Sequence, residues 1–241
     1  MLDQRTRKAE LHLTYKCDLD CPGCNRGCFN KKNLPPDMTL GTFDNTLNEI
    51  EDLGFAKDLV FIGGEPTLHR ECIEFMRTGA ERGFRQTIWS NSYSSLAKSK
   101  IGQIIKEDLA TVVTGTHKLN GAATGFSNPY IFCSPVDLGT KRVAPCKWGT
   151  GESGCGYSVD ENQCTPCPIG GIIAHFSTPN TLAPLKFLLR AEYMNRVFQD
   201  LCGRCGSFLQ LDECWNHVKR SKIENVNGTL MTEFWRKAFQ V

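Results

Sequence analysis

The chain has 241 residues, of which 40% are hydrophobic and 22% charged, and its formal net charge is +2. These values are ordinary for a globular protein, and the absence of a long basic run makes nucleic acid an unlikely class of partner. No apolar run approaches the length of a membrane span, and residues 1–10 are charged without the apolar core of a signal peptide. The sequence predicts a cytoplasmic protein with one large domain, or one domain and a small appendage.

Strands and helices alternate through the first half of the chain. Apolar runs that end in turns predict strands over residues 11–15, 58–62, 86–89 and 109–113. Apolar residues at helical spacing predict helices over residues 40–53, 70–82 and 96–106. This alternation is typical of right-handed βαβ units, and it predicts a parallel sheet.

The alternation weakens after residue 120. Residues 130–133 could form a fifth strand, and residues 157–167 read as a small hairpin that turns at Asn162. Amphipathic helices are predicted over residues 185–198 and 231–238. We place a boundary near residue 140, which predicts one domain over residues 5–140 and a smaller region over residues 141–241.

The unusual residues of the first half follow the predicted strands. A cysteine loop follows the first strand, and Gly63-Gly64-Glu65-Pro66 follows the second. Ser90-Asn91-Ser92 follows the third strand, and residues 114–117 follow the fourth. Because the carboxyl ends of parallel strands meet at one edge of the sheet, this edge is the predicted ligand site.

Thirteen cysteines are the most unusual feature of the composition. A chain of this length can bury a core of its own and does not need disulfides in place of one. In a reducing compartment, clustered cysteines more often bind metal or carry out redox chemistry. Cys72 and Cys133 stand alone among apolar neighbours, as small core residues do. The other cysteines form three groups: Cys17, Cys21, Cys24 and Cys28; Cys146, Cys155, Cys164 and Cys167; and Cys202, Cys205 and Cys214.

The first group contains three thiols at x3 and x2 spacing, Cys17, Cys21 and Cys24. Three cysteines so close cannot all pair as disulfides with one another, but they can all bind one metal centre if the loop curls around it. Structural zinc takes four protein ligands and a [4Fe–4S] cluster has four irons, so three thiolates leave one corner vacant. A cofactor or substrate can bind there. A closed zinc site that also uses Cys28 is the alternative.

The CxxxCxxC loop and the Gly63-Gly64-Glu65 sequence together resemble the radical S-adenosylmethionine (radical SAM) superfamily. The resemblance implies a partial (β/α)6 TIM-like barrel with a [4Fe–4S] cluster on Cys17, Cys21 and Cys24. It implies that S-adenosylmethionine (SAM) chelates the fourth iron and is cleaved to a 5′-deoxyadenosyl radical, which abstracts a substrate hydrogen. It also implies an external electron donor of the flavodoxin or ferredoxin type.

The resemblance also suggests residues that bind SAM. Gly63 and Gly64 would let the backbone approach the methionine moiety, and the carboxylate of Glu65 suits an ammonium group. Ser90 and Asn91 stand where family members carry polar residues near the methionine or ribose. Gly23 departs from the family, which usually has a bulky apolar residue before the third cysteine. Adenine contacts are therefore expected elsewhere.

The later cysteines resemble the auxiliary-cluster regions called SPASM and twitch domains. The shorter twitch pattern implies a second [4Fe–4S] cluster on four cysteines: Cys146, Cys167, Cys202 and Cys205. Cys164 is an alternative to Cys167 as a cluster ligand, because residues three positions apart in a hairpin lie on opposite faces. Cys155 is a further candidate, since it is also near in sequence. A structural zinc site from the two CxxC pairs of this region is the alternative.

The predicted function is a radical SAM enzyme that acts on a small polar substrate, with net oxidation as its outcome. A dehydrogenation must dispose of one more electron after hydrogen abstraction, and a second cluster could accept it. A peptide- or nucleoside-modifying radical SAM enzyme is one alternative, although a first strand near residue 10 leaves no room for a leader-binding domain. A zinc-stabilised α/β binding protein is the alternative without catalysis. The sequence assigns no catalytic residue.

Overall fold

A computed structural model describes residues 8–21, 24–54, 56–114, 132–140, 157–161, 164–167, 169–177, 201–207, 220–226 and 229–240. Several predicted features lie outside these ranges: Pro22, Gly23, residues 115–117, Cys146, Cys155, Asn162, Cys214 and the predicted helix over residues 185–198. None of the helices in the described ranges is long and apolar enough to span a membrane.

The first half folds as predicted, with strands and helices in alternation. Its elements are β1 (Lys8–Thr14), α1 (Leu40–Leu53), β2 (Asp58–Gly63), α2 (Cys72–Glu81), β3 (Arg85–Ser90), α3 (Ser95–Lys106) and β4 (Thr111–Thr114). The four strands pair in parallel in the order β4-β3-β2-β1, which confirms the predicted parallel sheet. β4 begins later than predicted because the amide of Leu109 still donates to Ile104 O at the end of α3.

Local capping explains where α1 begins and ends. The side chain of Thr39 accepts a hydrogen bond from the Thr42 amide, which satisfies a free donor of the first turn. Gly54 adopts the left-handed conformation at φ 60° and donates to Glu51 O. Since this conformation costs least at glycine, α1 ends at the residue that the sequence indicated.

A first hydrophobic core lies between the parallel sheet and its helices. Leu11, Phe61 and Ile88 point from three strands to the helices, where they meet Phe43 and Phe75. All five side chains are fully buried. The alternation of strand residues leaves Glu10, His12, Val60 and Ile62 on the opposite face.

The predicted hairpin over residues 157–167 is present, and it extends the main sheet. Its strands are β5 (Tyr157–Val159) and β6 (Cys164–Thr165), which pair antiparallel. β5 also pairs in parallel with β1, so the complete sheet has six strands in the order β4-β3-β2-β1-β5-β6. The predicted boundary near residue 140 therefore does not separate two sheets, and the two domain ranges stay a prediction.

A second core holds the rest of the described chain together. The remaining α-helices and strands of the described chain are α4 (Pro135–Leu138), α5 (Gly170–Ser177), the antiparallel pair β7 (Glu224–Val226) and β8 (Thr229–Met231), and α6 (Glu233–Phe239). Phe132, Trp235 and Phe239 form the aromatic centre of the second core, with ring centroids 5.1–5.5 Å apart. Phe132 and Cys133, the described part of the possible fifth strand, do not form a strand. Phe132 O instead accepts a hydrogen bond from the Thr232 amide.

Truncation of the first core should destabilise the fold. Leu47→Ala removes a side chain that is fully buried between α1 and the sheet. We expect a loss of about 2–5 kcal/mol in the free energy of unfolding, from lost burial and a residual cavity. Chemical denaturation measures it. Leu96→Ala is the matched control, because Leu96 is 48% exposed on α3. Equal losses in both variants would contradict the assigned core.

Candidate metal and cofactor site

The cysteine loop that follows β1 is built from consecutive turns. The Cys24 amide donates to Cys21 O, the Gly27 amide donates to Cys24 O, and the Asn30 amide donates to Gly27 O, at 3.0–3.2 Å. Gly27 has φ 64°, and a Cβ there would lie 3.0 Å from Ile172 of the second core. A side chain at Gly27 is therefore disfavoured for two reasons: the positive φ angle and the close approach to Ile172.

Cys28 gives the loop a fourth thiol beside Cys24. Its thiol donates a hydrogen bond to the Cys24 sulfur, which lowers the pKa of Cys24 to about 6. The same hydrogen bond and burial raise the pKa of Cys28 well above its usual value. These shifts favour the thiolate form of Cys24, which is the form that binds metals, and the protonated form of Cys28. The sequence gave Cys28 a role only in the alternative zinc site, and none in the radical SAM interpretation.

Gly63 and Gly64 bring the loop after β2 against the end of β1. The Gly64 amide donates to Thr14 O at 2.7 Å, and the Glu65 amide donates to Lys16 O at 2.8 Å. Gly63 has φ 144°, and a Cβ there would lie 2.1 Å from Thr14 O. A Cβ on Gly64 would lie 2.2 Å from Lys16 O. Both positions require glycine because two backbones approach closely here.

The carboxylate of Glu65 is completely buried and surrounded by donors. Oε1 accepts hydrogen bonds from the Thr67 amide at 3.1 Å, the Thr67 hydroxyl at 2.5 Å and the Ser90 hydroxyl at 2.9 Å. Oε2 accepts one from the Asn91 amide at 2.6 Å. Glu65 therefore joins the loops after β2 and β3. The expectation that this carboxylate suits an ammonium group of SAM stays a prediction.

Asn91 joins the loop after β3 to the cysteine loop. Its Nδ2 donates to Asp18 Oδ1 at 2.7 Å and to Cys17 Sγ at 3.7 Å. Its Oδ1 accepts from the Tyr93 amide at 2.8 Å, which fixes the orientation of the side chain amide. The sequence expected Asn91 near a cofactor but did not single out Asp18. The position of Asp18 directly after Cys17 was the available signal.

One part of the predicted site thus lies together at one edge of the sheet, namely Cys17, Glu65, Ser90 and Asn91. Cys17, Asn91 and Glu65 form a continuous chain of hydrogen-bonded loops. In the part of the chain that the structure describes, no three His, Cys, Asp or Glu side chains converge on a point for a single metal ion. A cubane cluster needs a different arrangement, because each cysteine binds its own iron.

The described cysteines of the second half divide between the two cores. Cys167 and Cys205 pack against the second core, while Cys164 belongs to the first. Burial raises the pKa of Cys164. Cys202 and Cys205 flank one tight turn, which Trp235 fixes by donating from Nε1 to Arg204 O at 2.9 Å.

Comparisons with known proteins show what this chain is similar to. Residues 8–121 match the family described as a 4Fe-4S single cluster domain. Over 84 residues the chain is 31% identical to an S-adenosylmethionine-dependent nucleotide dehydratase of Selenomonas ruminantium, a match that covers 35% of this chain and 29% of that protein. These similarities support a radical SAM enzyme. They also support a [4Fe–4S] cluster and SAM as cofactors.

Two further similarities show how much of each known protein this chain covers. A protein of Methanocaldococcus jannaschii, named as a glycyl-radical enzyme activating enzyme, is 32% identical over 91 residues, which cover 37% of this chain and 36% of that protein. The chain thus spans about a third of the length of both curated relatives. The crystal structure of BtrN in complex with AdoMet and 2-DOIA has a TM-score of 0.56 at 14% identity, over 88% of this chain and 98% of that chain. This likeness shows a shared fold.

Glu65→Gln should destabilise this radical SAM fold. The glutamine amide would place an N–H group where the carboxylate now accepts, so at least one buried donor loses its acceptor. We expect a loss of about 1–3 kcal/mol in the free energy of unfolding, measured by chemical denaturation. Glu74→Gln on α2 is the control, since its side chain is 55% exposed. If both variants unfold alike, the Glu65 network does not contribute to stability.

Proposed function

We propose that this chain is a radical SAM enzyme. It reductively cleaves SAM to a 5′-deoxyadenosyl radical and abstracts a hydrogen from a small polar substrate, for net oxidation. The observation that carries the proposal is the hydrogen-bonded convergence of three strand-end loops, in which Asn91 contacts Cys17 and Glu65 contacts Asn91. The similarities to known proteins support the two cofactors.

The donor set fits a cluster with one free corner. Cys17, Cys21 and Cys24 would hold a [4Fe–4S] cluster, which leaves one iron for SAM. When bound, the two groups supply the electron and the carbon radical that the reaction needs. The lowered pKa of Cys24 favours the thiolate form that such a cluster binds. The Asn91 amide donates to Cys17 Sγ, and hydrogen bonds to cluster sulfurs influence the reduction potential.

In the proposed site, the remaining predicted SAM residues bind SAM or position the loops around it. Gly63 and Gly64 allow the close approach to β1, and a bulkier residue at either position would displace the loop. Glu65 and Ser90 are buried and hydrogen-bonded to each other. We assign these four residues to positioning of the cofactor edge.

A second [4Fe–4S] cluster is proposed for Cys146, Cys167, Cys202 and Cys205. The common packing of Cys167 and Cys205 against the second core supports this set. Cys164 faces the first core instead, between the sheet and α1, which disfavours it as a ligand of the same centre. The described residues thus favour Cys167 in the competition between the two hairpin cysteines.

A nucleotide substrate is the second candidate. The similarity to an S-adenosylmethionine-dependent nucleotide dehydratase favours it. A protein or peptide substrate is the third, from the similarity to a glycyl-radical enzyme activating enzyme. In each case the family chemistry calls for an external electron donor, for which we propose a flavodoxin or ferredoxin.

Substitution of the three loop cysteines should abolish SAM cleavage. In a Cys17→Ala, Cys21→Ala, Cys24→Ala variant, purified anaerobically and reconstituted with iron and sulfide, we expect loss of the first cluster. Formation of 5′-deoxyadenosine with dithionite, followed by chromatography, should fall to background. Cys72→Ala is the control, because Cys72 lies in the first core. Retained 5′-deoxyadenosine formation in the triple variant would sink the proposed function.

Iron analysis should separate the hairpin cysteines. We expect about eight irons per wild-type chain, for two cubane clusters, and about four after Cys167→Ala. Cys164→Ala should keep about eight, because that thiol lies in the first core. The opposite pattern would reverse the ligand assignment. Zinc without sulfide in the wild-type protein would contradict both clusters.

A further inference from the structure

Asp18 has one carboxylate oxygen that the described residues leave without a donor. Oδ1 accepts from Asn91 Nδ2 at 2.7 Å, so the side chain is held beside Cys17. Oδ2 is buried and makes no hydrogen bond with any described residue. A buried acceptor without a partner is unfavourable, because it has lost its hydrogen bonds to water and gained none in return. The arrangement is expected where a ligand later supplies the missing donor.

The charges around the cysteine loop lead to the same conclusion. Three cations in or beside the loop already have other carboxylates as partners. Lys16 Nζ lies 2.5 Å from Asp37, Lys31 Nζ lies 2.9 Å from Asp20, and Arg26 lies 3.8 Å from Glu10. Asp18 forms no ion pair within the described ranges. It is thus a carboxylate at the cofactor edge whose charge would be balanced by a cationic or N–H-bearing ligand.

The other carboxylate of this edge already has hydrogen-bond donors of its own. Both oxygens of Glu65 accept hydrogen bonds from Thr67, Ser90 and Asn91, and its side chain is completely buried. To reach a ligand, Glu65 would have to leave several donors unpaired. Asp18 Oδ2 makes no hydrogen bond with a described residue, so it can accept one from a ligand without breaking another.

We propose that Asp18 accepts a hydrogen bond from the amino group of the methionine moiety of SAM. The inference rests on the proposed function, since it presumes that SAM binds at the cysteine loop. The amino group keeps N–H donors whether or not its nitrogen also binds iron. Asp18 directly follows Cys17, a proposed ligand of the cluster, and Asn91 fixes both residues to the loop after β3. Asp18 is then a recognition residue for the cofactor, and Glu65 is a positioning residue.

The test compares the binding of two ligands to two variants. Asp18→Asn preserves shape and removes the charge. Asp20→Asn is the matched control in the same loop, because Asp20 is solvent-exposed. The ligands are SAM and 5′-deoxy-5′-dimethylsulfonioadenosine, which keeps the sulfonium and adenosine but lacks the amino acid. Dissociation constants are measured anaerobically by calorimetry on cluster-reconstituted protein. Iron content and unfolding free energy establish that each variant folds and carries the cluster.

We expect Asp18→Asn to weaken SAM binding about tenfold or more, as for a hydrogen bond to a charged group, and to change binding of the truncated sulfonium less than twofold. The electron paramagnetic resonance signal of the reduced cluster should also need more SAM to shift. Equal weakening of both ligands, or none, overturns the assignment while the proposed function stands. Absence of SAM binding by the wild-type protein overturns both together.

Discussion

The buried carboxylate of Glu65 is the interaction on which the cofactor edge depends. Four donors from two loops converge on it, and none of them has to compete with water. A buried carboxylate is tolerated only where donors satisfy it, so each loop fixes the position of the other. Asn91, held by Glu65 through its backbone, can then present its side chain amide to Cys17 and Asp18.

The same edge connects the two hydrophobic cores. Tyr15 follows β1, packs within the second core, and donates from its hydroxyl to Asp160 at 3.0 Å after β5. Its ring stacks on His12 with centroids 5.2 Å apart. Burial and the nearby Arg26 lower the pKa of His12, which favours the neutral imidazole. Loosening of the second core would therefore disturb the strand from which the cysteine loop departs.

The cysteines illustrate how one residue type takes different roles by position. The thiolate form of Cys24 is favoured because Cys28 donates to it. Cys72 lies in an apolar core, where burial raises its pKa to about 12. Such a thiol behaves as a small hydrophobic residue, whereas a loop thiolate is ready to bind a metal centre. The count of thirteen cysteines alone cannot distinguish these roles.

The sequence by itself determined the alternating strands and helices, the CxxxCxxC spacing and the glycines of Gly63-Gly64, because each depends on neighbouring residues. Only the tertiary structure decided the partners of Glu65 and the open oxygen of Asp18. Asn91 donates a hydrogen bond to Cys17, which lies 74 residues away in the sequence. β5 pairs with β1, although nearly 150 residues separate the two strands. Periodicity carries no information on such distant pairs, since it reports which face a residue takes and not which residue it meets there.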